Sequence, residues 1–304
     1  MAALLEAAEP GLRVELVPVR TSGDEGSAAP PERVPDDKSR FTKEIEDALL
    51  DGRADLAVHS AKDVPAEIPE GLALVGAPER ADARDAVCGA PSLDALAPGA
   101  RVGTASLRRR SQILALRPDV VVVDLRGNVD TRLRRLAEGR FDAIVLARAG
   151  LERLDRERGA TVPAEAMTPA AGQGCLLLES RAEDERVRAL AERVSHAESV
   201  ARLEAERALV RVLGATCRTP VGAHAELEGG ALVLAAYVGL PDGSAWVRDR
   251  VSGDAAAPET LGGLVGERLL AAGAGELLEG AEAAGAPGPG APEARPLRPD
   301  RSSS

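Results

Sequence analysis

A short apolar run breaks abruptly into polar residues in Leu56-Ala57-Val58-His59-Ser60-Ala61-Lys62-Asp63-Val64-Pro65. An ammonium beside a carboxylate can hold an anion with one group and move a proton with the other. Lys62 is one of three lysines, with Lys38 and Lys43, in a chain that otherwise writes its positive charge as arginine. From these residues alone a surface turn with an incidental ion pair is an equally good account.

Arginine supplies the second cluster of chemistry-bearing residues. Ser106-Leu107-Arg108-Arg109, Leu125-Arg126-Gly127-Asn128-Val129-Asp130-Thr131-Arg132 and Gly150-Leu151-Glu152-Arg153 each follow a predicted strand. In a parallel sheet such positions converge on one edge, where helix N-termini already favour anions. Guanidinium groups grip carboxylates two hydrogen bonds at a time. An acidic protein, net charge −11, that gathers arginines at one sheet edge is built for a small polyanion rather than for coating nucleic acid. Arg110, Arg134 and Arg135 read instead as solvated helix faces.

The remaining composition narrows the classes. Cys88, Cys175 and Cys217 form no Cys-x-x-Cys, and His59, His196 and His224 are scattered, so no metal site and no disulfide framework is expected. No apolar run reaches transmembrane length, and Met1-Ala2-Ala3-Leu4-Leu5-Glu6 lacks the pattern of an export signal. The expectation is a soluble cytoplasmic monomer with no membrane or nucleic-acid partner. Without aromatics, which make up 1% of the chain, any core must be Ala, Leu and Val.

The elements that would position these residues alternate along the chain. Leu12 to Val19 alternates as a strand, 21–39 reads as a Gly/Pro/Asp/Ser loop, and Phe41 to Leu50 as a helix capped at Gly52. Leu56-Ala57-Val58 reads as a buried parallel strand and Gly71 to Gly76 as the next. From Ala81 the pattern restarts: strand Arg101-Val102, helix Leu107 to Leu116, strand Val120 to Val123, helix Val129 to Glu138 capped by Asn128, strand Ala143 to Leu146, then a short helix. This βαβαβα order predicts a mostly parallel sheet with helices on both faces. Ala182 to Leu213 is helical with a break near Ser195. Strands at Ala223 to Glu228, Ala231 to Val238 and Ser244 to Val251, with turns at Gly229-Gly230 and Asp242-Gly243, predict a small antiparallel sheet covered by a helix from Thr260 to Ala271. The segment 284–304 is expected to be disordered. Two classes fit this cleft between α/β units: a polycarboxylate-binding module, or an enzyme on such a ligand with Asp63 as its working carboxylate.

Taken together, five segments resemble the porphobilinogen deaminase (hydroxymethylbilane synthase) family: Ala57 to Pro65, Val102 to Arg109, Leu125 to Val129, Ala171-Gly172-Gln173-Gly174, and Leu213 to Gly222. The resemblance runs from about Leu12 to about Gly280. It implies two periplasmic-binding-protein-like (type II) α/β domains around a cleft, 1–80 with 175–193 and 81–170, and a small α/β domain, 195–283. It also implies a cytoplasmic transferase of tetrapyrrole biosynthesis that condenses four porphobilinogen molecules into hydroxymethylbilane and releases ammonia at each step. By position, Cys217 would hold a dipyrromethane cofactor through a thioether and Asp63 would be the catalytic carboxylate. Lys62, Ser60, Thr104, Ser106, Arg108, Arg109, Arg126, Gly127, Arg132 and Arg153 would bind the acetate and propionate groups of cofactor and substrate.

The sequence departs from the family in one region. The family's opening strand and Arg-x-Ser-x-Leu-Ala turn have no counterpart, and Asp37-Lys38-Ser39-Arg40 replaces a glycine-rich loop, with Lys38 at its basic position. An incomplete first sheet is expected, with a natural start upstream of Met1. If Met1 is the start, weak or no activity and an unstable first domain follow. The competing reading is a catalytically impaired or non-enzymatic two-domain polycarboxylate binder.

Overall fold

The computed structural model describes residues 1–19, 39–65, 67–157, 159–216 and 219–285. Three sheets organise them. The first has β1 (Ala57–Ser60), β2 (Leu72–Gly76) and β8 (Leu176–Arg181) in the order β1-β8-β2, with β8 antiparallel to both neighbours. Helix α1 (Ala2–Ala8), α2 (Ser39–Leu50) and α6 (Glu185–Val194) pack around it, and Leu5, Leu178 and Ala191 share one apolar cluster. β1 is therefore not the parallel strand expected. The chain leaves the first sheet, builds the second, and re-enters through β8 from the opposite direction.

The second sheet has the order β5-β4-β6-β3-β7, formed by β3 (Asp85–Cys88), β4 (Arg101–Gly103), β5 (Val121–Val123), β6 (Ala143–Ala147) and β7 (Ala160–Thr161). β5, β4 and β6 are parallel, whereas β3 lies antiparallel between β6 and β7. The expected parallel crossovers hold for α3 (Leu107–Leu116) and α4 (Val129–Ala137), and a short α5 (Arg148–Arg153) follows β6. Ser106 and Asn128 cap α3 and α4, their side-chain oxygens accepting from the Arg109 and Thr131 amides.

The third sheet is the antiparallel β9 (Val221–Glu228), β10 (Ala231–Gly239) and β11 (Trp246–Gly253), turning at Gly229-Gly230 as expected. Helices α7 (Ala197–Val212), α8 (Pro258–Ala271) and α9 (Ala274–Gly285) cover it. Its core is Leu209, Leu232, Leu234, Val265 and Leu269, aliphatic throughout. α8 crosses α7 closely because Gly262 has no side chain: a Cβ there would lie 2.3 Å from the Ala205 carbonyl oxygen. Helix α9, in Ala/Gly-rich sequence without a clear period, was not expected.

A second expectation changes. Leu12 to Val19 belongs to no strand, and Leu16 is 79% exposed. Alternation alone does not make a strand; a ladder needs a partner, and β1 pairs only with β8 among the described residues. The loop at 21–39 lies largely, and the tail at 284–304 almost wholly, outside the described residues, as does Lys38.

Candidate active site

Lys62 and Asp63 sit on a single 3-10 turn, Ala61–Asp63, that continues directly from β1. The Ala61 amide donates to the Cys175 carbonyl at 3.0 Å, tying the turn to the start of β8. Neither side chain makes a hydrogen bond or an ion pair within 4.0 Å with a described residue. Lys62 is nonetheless half-buried. Burial lowers its pKa; Asp63 opposes that, and Arg109 and Arg108 add to it. An ammonium held against its own solvation, with no partner, favours an incoming anion. Asp63 is exposed.

Across from this turn lies a cluster in which every charge is paired, with only Arg108 Nε left without a hydrogen-bond partner. Asp85, on β3, is fully buried and receives Arg108 (2.8 and 3.3 Å), Arg109 (2.9 and 3.0 Å) and the Gln173 amide (2.8 Å). Burial alone would raise this carboxyl, but Arg108 and Arg109 hold it well below the usual carboxylate range. Arg108 also donates to the Thr168 carbonyl and Arg109 to the Val145 carbonyl. The two guanidinium groups, 4% and 5% exposed, are thus fixed in orientation by protein partners. They contribute field more than open donors.

Arg132 lies within electrostatic reach of both Arg109 and Asp63. Burial and the field of Arg109 bring its pKa down to about 10, with Asp63 acting in the opposite sense. Its Nε donates to the Gly127 carbonyl at 2.6 Å. The structure therefore brings Lys62, Asp63, Arg108, Arg109 and Arg132 into mutual electrostatic reach, four cations and one carboxylate, with Asp85 behind them.

Other expected residues are placed differently. Arg126 is exposed and its Nε lies 3.6 Å from Asp124. Arg153 donates to the Gly174 carbonyl at 2.8 Å. Thr104 is buried, its hydroxyl oxygen accepting from the Ser106 amide, and Ser60 is half-buried at the end of β1. Gly127 turns the chain ahead of the Asn128 cap with φ +110°. Cys217 lies outside the described residues. His59 is a core residue, paired with buried Glu179 at 2.9 Å. The other thiols, Cys88 and Cys175, are both buried, and burial pushes each up to about 11.

Several residues that organise this site escaped the sequence reading. Asp85 does so because its partners come from Arg108, Arg109 and Gln173, far along the chain; a carboxylate inside an apolar strand was the available signal. Arg80 and Glu206 form a second buried pair at 2.7 Å. Glu206 also accepts from the Gly172 and Ala225 amides. Burial alone would raise Glu206; Arg80 and His224 bring it down to about 2.

Comparison with known families decides what these features belong to. The family described as "Porphobilinogen deaminase, dipyromethane cofactor binding domain" matches residues 1–189, and "Porphobilinogen deaminase, C-terminal domain" matches 200–271. The chain belongs to the porphobilinogen deaminase family. Its expected chemistry is therefore that of a pyrrole-polymerising transferase of tetrapyrrole biosynthesis with a dipyrromethane cofactor. Among solved structures, a periplasmic domain of BvgS from Bordetella pertussis is similar at 18% identity (TM-score 0.37, covering 63% of this chain and 73% of that one). YhfZ from Shigella flexneri is 18% identical (TM-score 0.35, 69% and 82% covered). An amino acid ABC transporter substrate-binding protein, AbpA from Streptococcus pneumoniae, is 12% identical (TM-score 0.33, 68% and 79% covered).

The residues present suit the cofactor of a porphobilinogen deaminase. Dipyrromethane carries several carboxylates and pyrrole N–H groups. The half-buried, unpartnered Lys62 and the desolvated Arg132 supply cations, and the exposed Asp63 supplies an acceptor beside them. No helix among the described residues is long and apolar enough to cross a membrane, and none of them form a cluster of three metal-ligating side chains.

Proposed function

We propose that this chain is a hydroxymethylbilane synthase, a transferase that condenses four porphobilinogen molecules stepwise into linear hydroxymethylbilane and releases one ammonia per condensation. The observation that carries the reading is the pairing of an unpartnered carboxylate, Asp63, with an unpartnered ammonium, Lys62, opposite arginines already oriented by Asp85. Dipyrromethane, held by a thioether to Cys217, would supply the pyrrole ring to which the first substrate is joined.

The chain's own groups divide the work. Lys62 and Arg132, with Ser60, Thr104, Ser106, Arg126 and Arg153, bind acetate and propionate groups of cofactor and substrate, and the backbone at Gly127 leaves room for them. Arg108 and Arg109, already bound to Asp85, make the region positive for those anions. As ammonia leaves the aminomethyl carbon of porphobilinogen, positive charge develops on the pyrrole. Asp63 accepts a hydrogen bond from the ring N–H and stabilises that charge, then takes up the proton released when aromaticity returns. The proposed units are 1–80 with 175–193, 81–170 and 195–283, in a cytoplasmic monomer. A polycarboxylate binder without turnover is the competing reading, favoured by the narrow first sheet.

One experiment separates the two. Protein made in a porphobilinogen-producing cell should weigh one dipyrromethane more than its sequence, and Cys217→Ser should lose that mass. Asp63→Asn should keep it while turnover falls roughly a hundred- to ten-thousandfold. An unmodified Cys217, or an Asp63→Asn variant as fast as the parent, would overturn the proposal.

A further inference from the structure

Asp63 makes no side-chain bond to a described residue, so the backbone of its turn alone determines where the carboxylate stands. That backbone is gripped on both sides by adjacent residues of one helix. On the downstream side, Arg207 of α7 donates from Nη2 to the Pro65 carbonyl at 2.7 Å and from Nη1 to the Val64 carbonyl at 3.4 Å. On the upstream side, Glu206 accepts from the Gly172 amide at 2.7 Å and holds the 171–174 turn in place. Gly172, at φ +72°, lies so close to the catalytic turn that a Cβ there would sit 2.8 Å from the Ala61 carbonyl carbon and 2.9 Å from the Lys62 nitrogen.

We infer that Arg207, assisted by its neighbour Glu206, is the positioning residue for Asp63, and that α7 sets the catalytic turn from the third structural unit. The inference rests on Asp63 being the working carboxylate. A planar fork of donors suits two successive carbonyls in a way that a single ammonium does not. Val64 and Pro65 lie at the exit of the turn, where no ladder takes up their carbonyls; without Arg207 they lose a charged donor in a buried setting. α7 is a rod of 16 residues, about 24 Å long, that ends at Val212, five positions before Cys217.

Hydrogen exchange of the substrate-free protein tests the clamp without depending on turnover. Arg207→Gln should raise exchange at 61–64 roughly tenfold or more while α7 and β8 keep their protection. Arg207→Lys should fall between it and the parent. In the active protein, Arg207→Gln should lower kcat about tenfold with KM within about twofold, since Asp63 is displaced while the cations remain. Unchanged exchange at 61–64, or exchange raised equally across α7 and β8, would overturn the inference. If Arg207→Gln does not fold, the same local-or-global comparison on Arg207→Lys decides it. A parent protein without turnover would count against the functional reading while leaving the exchange result to stand by itself.

Discussion

At Asp85 every charge has a partner, whereas Lys62 and Asp63 on the facing turn have none within bonding distance among the described residues. Both clusters set a carboxylate beside cations. The first holds two guanidinium groups by four hydrogen bonds to one carboxylate, which also accepts from a glutamine amide, leaving little freedom for a ligand to reorganise them. The second keeps an ammonium in a desolvated place and leaves it unsatisfied. A saturated cluster fixes geometry and field; an unsatisfied one stores affinity for what will complete it. Work is divided between a rigid side and a receptive side.

Opposite outcomes on removing one charge from each side would sharpen this contrast. Asp85→Asn should have the larger effect on the fold, because it leaves two buried arginines facing each other without their carboxylate. A loss of about 3–5 kcal/mol is expected in denaturant unfolding. A loss below about 1 kcal/mol would show that the carboxylate does not hold the two arginines in place. The folded carboxyl lies below its ordinary value of 3.8, so its contribution is present above that pH and is lost as pH falls below it. Asp85→Asn should remove that acid limb.

Lys62→Met should do the reverse. Removing an ammonium that burial already disfavours is expected to leave stability unchanged or slightly higher, while KM rises roughly ten- to a hundredfold through loss of a charged contact. A clear loss of stability would mean that Lys62 has a structural partner and would break the comparison.

The receptive side was legible in the sequence and the rigid side was not, for a physical reason. Lys62 and Asp63 are adjacent, follow an apolar run and precede a proline, so a local window contains the whole signal. Asp85 meets Arg108 across 23 residues and Arg80 meets Glu206 across 126, and no local pattern announces either. The arginines were found as residues but read as open donors, because what occupies a guanidinium depends on tertiary partners. The fold shows the same split. Caps at Asn128, the Gly229-Gly230 hairpin and the break near Ser195 are local and were legible. The direction of β1 depends on where β8 returns, and the strand expected at Leu12 to Val19 depends on a partner that the described sheet does not provide.

The smallest expected effect is that of His224 in the Glu206 cluster, which is buried like that of Asp85 but includes a histidine. His224 lies 3.7 Å from Glu206 and 3.1 Å from Glu226. Burial alone would lower its pKa; the two carboxylates raise it above 6.5. Its contribution is therefore complete below pH 6.5 and is lost as pH rises through the folded value. Glu206 works in the opposite direction: its folded value of about 2, against an ordinary 4.5, gives stability that is present above pH 4.5 and lost as pH falls towards 2. The acid limb is worth roughly 3 kcal/mol at full extent. Unfolding free energies measured at pH 3, 6 and 9 should then pass through a maximum near pH 6, and His224→Gln should abolish the decline between pH 6 and 9 while shrinking the acid limb without removing it, because Arg80 still holds Glu206 down. Asp85 has no histidine partner, so its cluster cannot produce an alkaline decline. A decline that persists in His224→Gln would place its origin outside the Glu206 cluster and remove the one pH signature that distinguishes the two buried carboxylates.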